Sequence, residues 1–307
     1  MNNEKTPAFQ PLTGIYEPSA IQQLPDGRFL VVEDEKEHPL SLVTIDADGT
    51  VKTAALTAGL LQMFSPFWKL DDLEGLAADK AGFVYGITSH SREGDGDEKK
   101  SREKLVRFRV EGDRVVDPKV VGGLKQALMT RHAVLAAAAQ VRDVKASGGL
   151  NIEALEISPD QKRLLIGLRS PLHNGRAIIA SVENPTAVFE SDEVPRVAPG
   201  LEELDLGGHG IRGLSYVPAL AAYLVIAGPV SREPAAFELW RWSGQPGAPA
   251  QRMTVPGLRG FAKAEGLCPA VVGGVERIVI VSDDGNRAAG RAAGYLLLDP
   301  TQLRTEA

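Results

Sequence analysis

The chain has 307 residues, with 34 lysines and arginines against 40 aspartates and glutamates and a net charge of −6. No basic run could neutralise a row of phosphates, which argues against nucleic acid, and no run of roughly 18 or more apolar residues is present to cross a bilayer. Cys268 is the only cysteine, which excludes an internal disulfide and a cysteine-clustered zinc site.

The first ten residues contain no apolar stretch of the secretory type, so the chain is expected in the cytoplasm. Gly and Pro number 32 and 20, a turn-rich composition. Pro7–Leu12 reads as a lone strand. A short pattern then comes round five times: Glu17-Pro-Ser-Ala20, Glu74-Gly-Leu-Ala77, Glu153-Ala-Leu-Glu156, Arg212-Gly-Leu-Ser215 and Glu265-Gly-Leu-Cys268. Each copy precedes a turn and an apolar strand-like run. The runs are Phe29–Val32, Phe83–Ile87, Leu164–Leu168, Tyr223–Ala227 and Arg277–Val281. Further strands are predicted at Ser41–Asp46 and Val51–Leu56, around Ala47-Asp48-Gly49, and at Lys104–Val110 and Arg114–Val121.

The copies are spaced by 57, 79, 59 and 53 residues. The long interval holds Leu124–Ser147, where Leu124, Leu128, Leu135 and Ala138 recur at helical spacing. Four antiparallel strands per unit of about 50 residues predict a single all-β domain, a β-propeller spanning residues 1–307. Five blades are expected, with six as the alternative, a helical insertion at 124–147, and Pro7–Leu12 closing the ring beside Tyr295–Leu298.

In such a ring the first strand of each blade lines the channel, and the second returns to the same mouth. The offsets from Glu17 to Asp34, Glu74 to His90, Glu153 to Arg169, Arg212 to Gly228 and Glu265 to Asp283 are nearly constant. Glu17, Glu74, Glu153, Arg212 and Glu265 are therefore expected to converge. Ser89, His90, Arg92, Arg169, Asp34, Asp283 and Asp284 stand around them, with His209 in the Gly207-Gly-His-Gly turn. The longest insertions fall at the same mouth: Thr57–Asp71, with Phe64, Phe67 and Trp68, then Ser91–Glu103, then the helical segment, which is expected to cap it.

Four ionised glutamates about 6 Å apart repel by roughly 3 kcal/mol per pair at an effective dielectric near 20, and Arg212 offsets only part of this. Raised glutamate pKa values, nearby arginines or a bound cation must answer the rest. Hard oxygen donors favour Ca²⁺ or Mg²⁺. The competing reading has the glutamates accepting backbone N–H bonds and holding no ion.

Several linked motifs resemble a known family. These are Asp72-Leu-Glu-Gly-Leu-Ala77 with Thr88-Ser-His-Ser-Arg92, Asn151-Ile-Glu-Ala-Leu155 with Ile166-Gly-Leu-Arg-Ser-Pro171, Leu206-Gly-Gly-His-Gly-Ile-Arg212 with Ile226-Ala-Gly-Pro229, and Ser282-Asp-Asp-Gly285 after Glu265-Gly. Together, over about residues 15–300, they resemble the bacterial domain of unknown function 3616, a propeller type. More distantly, the Glu-Gly-Leu-Ala starts are similar to phytase-like and gluconolactonase-type propellers. That likeness implies a channel cation and hydrolysis of phosphoesters or lactones, although Arg212 stands where such a site has an oxygen ligand.

The expectation is a mouth site for a small polar or anionic ligand, with metal-assisted hydrolysis of an ester, lactone or phosphoester. Glu17, Glu74, Glu153 and Glu265 would hold Ca²⁺ or Mg²⁺, Arg212 and Arg169 would clamp an anionic group, and His90 would be the acid or base. Ser89, Arg92, His209, Asp34, Asp283 and Asp284 would contact the ligand. The alternative is a non-catalytic module binding a ligand or a partner protein at the mouth.

Overall fold

A computed structural model describes residues 6–33, 39–56, 65–144, 148–231, 236–261 and 263–306. After β1 (Gln10–Leu12), the first blade is β2 (Pro18–Gln23), β3 (Phe29–Glu33), β4 (Leu40–Ile45) and β5 (Val51–Ala55). The second is β6 (Leu73–Ala78), β7 (Val84–Thr88), β8 (Leu105–Glu111) and β9 (Arg114–Val121), followed by helices α1 (Leu124–Arg131) and α2 (Ala133–Ala139). The third is β10 (Asn151–Ile157), β11 (Leu164–Ser170) and β12 (Ala177–Val182), a short helix α3 (Pro185–Glu190), and β13 (Glu202–Leu204). The fourth is β14 (Gly210–Val217), β15 (Ala222–Gly228), β16 (Glu238–Trp242) and β17 (Gln251–Thr254). The fifth is β18 (Ala264–Val272), β19 (Val275–Ser282) and β20 (Ala293–Leu298); the last strand is β21 (Arg304–Thr305).

Every sheet is an antiparallel meander, and the five form the expected five-bladed propeller. The ring closes as the sequence suggests: β1 pairs with β20, Gln10 opposite Tyr295 and Leu12 opposite Ala293. One strand was not anticipated. β21 adds to the outer edge of blade four through Met253–Thr305 and Thr254–Arg304. Two residues carry too little pattern to be read as a strand.

The first strands β2, β6, β10, β14 and β18 stand side by side around the axis. Wedges of core fill the space between neighbouring blades. Phe29, Val31, Val279 and Val281 meet between blades five and one, and Leu224, Ile226, Ile278 and Ile280 between four and five. Sheets covered on both faces explain the near-continuous apolar runs at Phe29–Val32 and Tyr223–Ala227. Cys268 lies in the wedge between blades five and one, fully buried, and burial pushes its thiol up to about 12, so it is inert filling. Tight hairpins join the strands. At Pro25-Asp26-Gly27, the Gly27 N–H donates to Leu24 O at 3.0 Å with φ at +88°, which glycine adopts without strain.

One wedge contains an acid. Glu156 on β10 is 7% exposed; its Oε2 accepts from Ser215 Oγ and the Tyr216 N–H, both at 2.8 Å, and its Oε1 from the Ile157 N–H at 2.7 Å. Burial pushes its carboxyl up to about 7 against the pull of those three bonds.

Among the described residues, the helical insertion carries the short helices α1 and α2 rather than one continuous helix. His132 adopts an extended conformation between them, its Nε2 3.0 Å from Ala198 O. Leu124, Leu128 and Leu135 are buried against blades two and three. Residues 145–147 of the expected insertion, like Asp34 and Phe64, lie outside the described residues. Among the described residues, no helix is long and apolar enough to cross a membrane.

Candidate functional site

Each first strand has the same local defect. The register slips between Pro18 and Ala20, Leu73 and Gly75, Ile152 and Ala154, Ile211 and Gly213, and Ala264 and Gly266. One residue is thus extra in every blade: Ser19, Glu74, Glu153, Arg212 and Glu265. A bulge takes its residue out of the ladder and re-aims its side chain, here toward the mouth of the channel.

This corrects the reading of blade one. The ring residue there is Ser19, and Glu17 lies two positions earlier. The aligning signal is the small residue after each bulge: Ala20, Gly75, Ala154, Gly213 and Gly266. First strands approach so closely there that a Cβ on Gly213 would meet Glu265 O at 2.6 Å, and one on Gly75 would meet Leu155 N at 2.7 Å. A side chain longer than a methyl is excluded, which fixes the register of the pattern.

Above the bulges opens a cavity of about 400 Å³, lined by all five ring residues and by Glu17, Asp72, Ser91, Arg92, Arg102, Asn151, Arg169 and Asp283, among others. Arg212 is its electrostatic centre. Its Nε lies 2.7 Å from Glu265 Oε2 and 2.9 Å from Glu153 Oε2, and its Nη2 pairs with Glu265 Oε1. Arg169 Nη1 reaches Glu153 Oε1 at 3.1 Å and Asn151 Nδ2 reaches the same oxygen at 2.8 Å, while Arg169 Nε donates to Pro229 O at 3.0 Å. Burial opposes the Arg212 charge, but Glu153, Glu265 and Glu74 together raise its pKa. Burial pushes Glu265 up to about 7 against the pull of Arg212, with Glu153 and Asp283 adding to the rise. One cation shared among several buried carboxylates leaves room for a proton on one of them.

Arg212 answers part of the repulsion expected among the glutamates. Glu153 and Glu265 direct their oxygens at Arg212, and among the described residues no group of three or more His, Cys, Asp or Glu side chains is disposed to hold a metal ion. The four-glutamate Ca²⁺ or Mg²⁺ site therefore does not fit this donor set. Nor are Arg212 and Arg169 a free clamp for an anion, since both guanidiniums are already held by protein oxygens. Among the described lining residues, eight carboxylates face five arginines, so the cavity is acidic.

Other expected residues divide. Arg92 and Asp283 line the cavity; Arg92 is fixed by Ala139 O and Gly96 O, both at 3.1 Å. His90 does not line it. Its backbone is left-handed (φ +55°), the ring is fully buried, and Nδ1–H donates to Thr88 O at 2.7 Å. Burial lowers its pKa to about 4, and the ring expected as acid or base lies off the mouth. Ser89 is also fully buried, donating to Asp72 and accepting the Ile152 N–H at 2.8 Å, and thereby ties blade two to blade three. Ser91, which lines the cavity, lies 2.9 Å from it. His209 sits off the cavity, Nδ1 3.1 Å from Leu206 O. Asp284 accepts from Ser282 Oγ at 2.7 Å and the Gly294 N–H at 3.0 Å, a clasp within blade five.

Of the insertions expected at the mouth, Arg92 and Glu93 of Ser91–Glu103 line it, as do Arg142, Asp143 and Val144 beyond α2. Lys125 (2.9 Å to Glu103) and Arg142 (2.9 Å to Asp97) pin the helical segment to the connection between β7 and β8. Of the aromatic segment, the described residues 65–71 do not line the cavity. Phe67 is buried against Phe108, ring centres 4.9 Å apart. Sequence reasoning missed Ser19, Asp72, Ser91, Arg102 and Asn151. Asn151 was visible two residues ahead of Glu153, on the same strand.

Among solved structures, the chain is similar to a putative glucose dehydrogenase from Thermus thermophilus (14% identity, covering 95% of this chain and 100% of that one, TM-score 0.47). It is also similar to an exo-β-1,3-galactanase from Phanerochaete chrysosporium (9%, 98% and 67%, TM-score 0.53) and to a gluconolactonase from Xanthomonas campestris (12%, 98% and 86%, TM-score 0.41). At these identities the likeness is one of fold. No curated protein matches the chain. The family model described as "Protein of unknown function (DUF3616)" matches residues 143–299, half of the sequence and three of the five ring positions, and the chain belongs to that family.

Proposed function

We propose that this propeller binds a small polar ligand in the cavity over its five bulged residues. The observation that carries the reading is the convergence of Ser19, Glu74, Glu153, Arg212 and Glu265 beneath one open cavity of about 400 Å³, a size suited to a small molecule. The acidic lining turns the expectation away from anions and so away from phosphoesters. Thermal-shift and NMR screening of polar metabolites tests it: hits are expected whose shifts vanish in Glu74→Gln or Asn151→Leu. A screen with no hit, or hits unaffected by both substitutions, removes the mouth as the site. Calorimetry of chelator-treated protein with Ca²⁺ or Mg²⁺ is expected to give no stoichiometric binding at the mouth.

A second reading is favoured by Glu265. A carboxyl pushed up to about 7 is partly protonated near neutrality, so it can give its proton to the leaving oxygen of a neutral ester or lactone as water adds to the acyl carbon, and take one back from that water. Turnover that survives in Glu265→Gln rules this out; loss of turnover with binding retained supports it.

A further inference from the structure

Acceptors are in excess in the mouth. Every guanidinium among the described lining residues is tied to a protein oxygen: Arg212 and Arg169 as above, Arg92 to two carbonyls, Arg102 to Asp72 at 3.1 Å and Arg142 to Asp97 at 2.9 Å. Glu17 and Asp283 also line the cavity, and among the described residues their carboxylates show no ion pair or hydrogen bond. Burial raises Asp283, Lys263 opposes the rise, and Glu17 adds to it, so the two carboxylates sense one another.

Two further groups narrow what would satisfy them. Asn151 is 5% exposed and lines the cavity, and its Oδ1 has no hydrogen-bond partner among the described residues. The Nη1 of Arg212 is likewise buried without one. An orphaned acceptor and an orphaned donor suit a hydroxyl, which can both give and accept a hydrogen bond. The Glu17 and Asp283 carboxylates suit an ammonium. Among the described lining residues there is no aromatic ring, so a planar heterocycle has nothing to stack on.

Resting on the mouth as a ligand site, we propose that the ligand is a hydroxylated amine, an amino alcohol or amino sugar, with its ammonium against Glu17 and Asp283 and a hydroxyl toward Asn151 Oδ1 and Arg212 Nη1. Calorimetry of the full chain at pH 7 and low salt with glucosamine, glucose and glucuronate holds one hydroxylated frame while its charge runs from positive through neutral to negative. Glucosamine is expected to bind at least about tenfold tighter than glucose, with glucuronate silent. Asp283→Asn and Glu17→Gln should each cut the preference for glucosamine over glucose several-fold, whereas Asn151→Leu should weaken both sugars. Glucose binding as tightly as glucosamine, glucuronate binding tightest, or a preference indifferent to Asp283→Asn and Glu17→Gln overturns the amine while leaving the mouth a ligand site. Silence from all three sugars and from ethanolamine overturns it as well, and the metabolite screen with Glu74→Gln then decides separately whether the mouth binds anything.

Discussion

Glu156 offers a test of the inter-blade core that leaves the mouth untouched. Its carboxyl ionises near 4.5 in the unfolded chain and near 7 when buried between blades three and four. Between those values the unfolded chain has lost a proton that the folded chain keeps, so stability falls as pH rises. At 1.36 kcal/mol per pH unit, an interval of about 2.5 units removes roughly 3 kcal/mol, and the loss is complete above pH 7. Glu156→Gln is neutral at every pH and lacks this slope. It also places an amide nitrogen against N–H donors at Ile157 or Tyr216, which costs about 1–2 kcal/mol. The variant is therefore expected to be less stable than the parent by up to about 1 kcal/mol at pH 5 and more stable by about 1–2 kcal/mol at pH 8. Urea unfolding followed by tryptophan fluorescence at both pH values measures the difference. Variant and parent curves that stay parallel across that range would refute the reasoning, because the crossing depends on the buried carboxyl alone.

Three other outcomes follow from the ring. Gly213→Ala sets a Cβ 2.6 Å from Glu265 O, so the first strands of blades four and five must separate; a loss of about 3 kcal/mol is expected in denaturant melts, and a loss below about 0.5 would contradict the packing. Arg212→Met strands two glutamates and should cost about 3–5 kcal/mol at pH 8, a deficit that shrinks as the pH falls toward 7 because Glu265 without its arginine binds a proton more readily, and that Glu265→Gln partly repairs. Leu12, fully buried on the closing strand, should cost about 2–5 kcal/mol as Leu12→Ala; an unchanged melting temperature would mean that β1 does not hold the ring shut.

The fold was legible because propeller strands buried on both faces read as apolar runs, and five such runs recurred with turns between them. Even the closing strand could be placed, since the last unit lacked one. The site was legible only to the extent that the repeat was aligned by its constraint. Glutamate looked like the fixed feature, but the invariant demand is steric, a small residue where neighbouring first strands nearly touch. Aligning Ala20 with Gly75 and Ala154 yields Ser19, whereas aligning acidic residues yields Glu17. His90 was beyond reach for another reason. A positive φ at a histidine reverses the direction that strand alternation implies, and no pattern of residue types announces it. The pairing of Arg212 with Glu153 and Glu265 could be anticipated as a need for positive charge, but not as the geometry that turns both carboxylates onto one guanidinium.

The bulged positions have a consequence for how such a protein can change. A residue standing outside the ladder contributes little to the cohesion of its sheet, so serine, arginine and glutamate occupy equivalent places here without altering the blades that carry them. Chemistry at the axis thus differs from blade to blade while the strand pairing of the scaffold stays constant. The identity of those five letters is the feature to compare among members of the family.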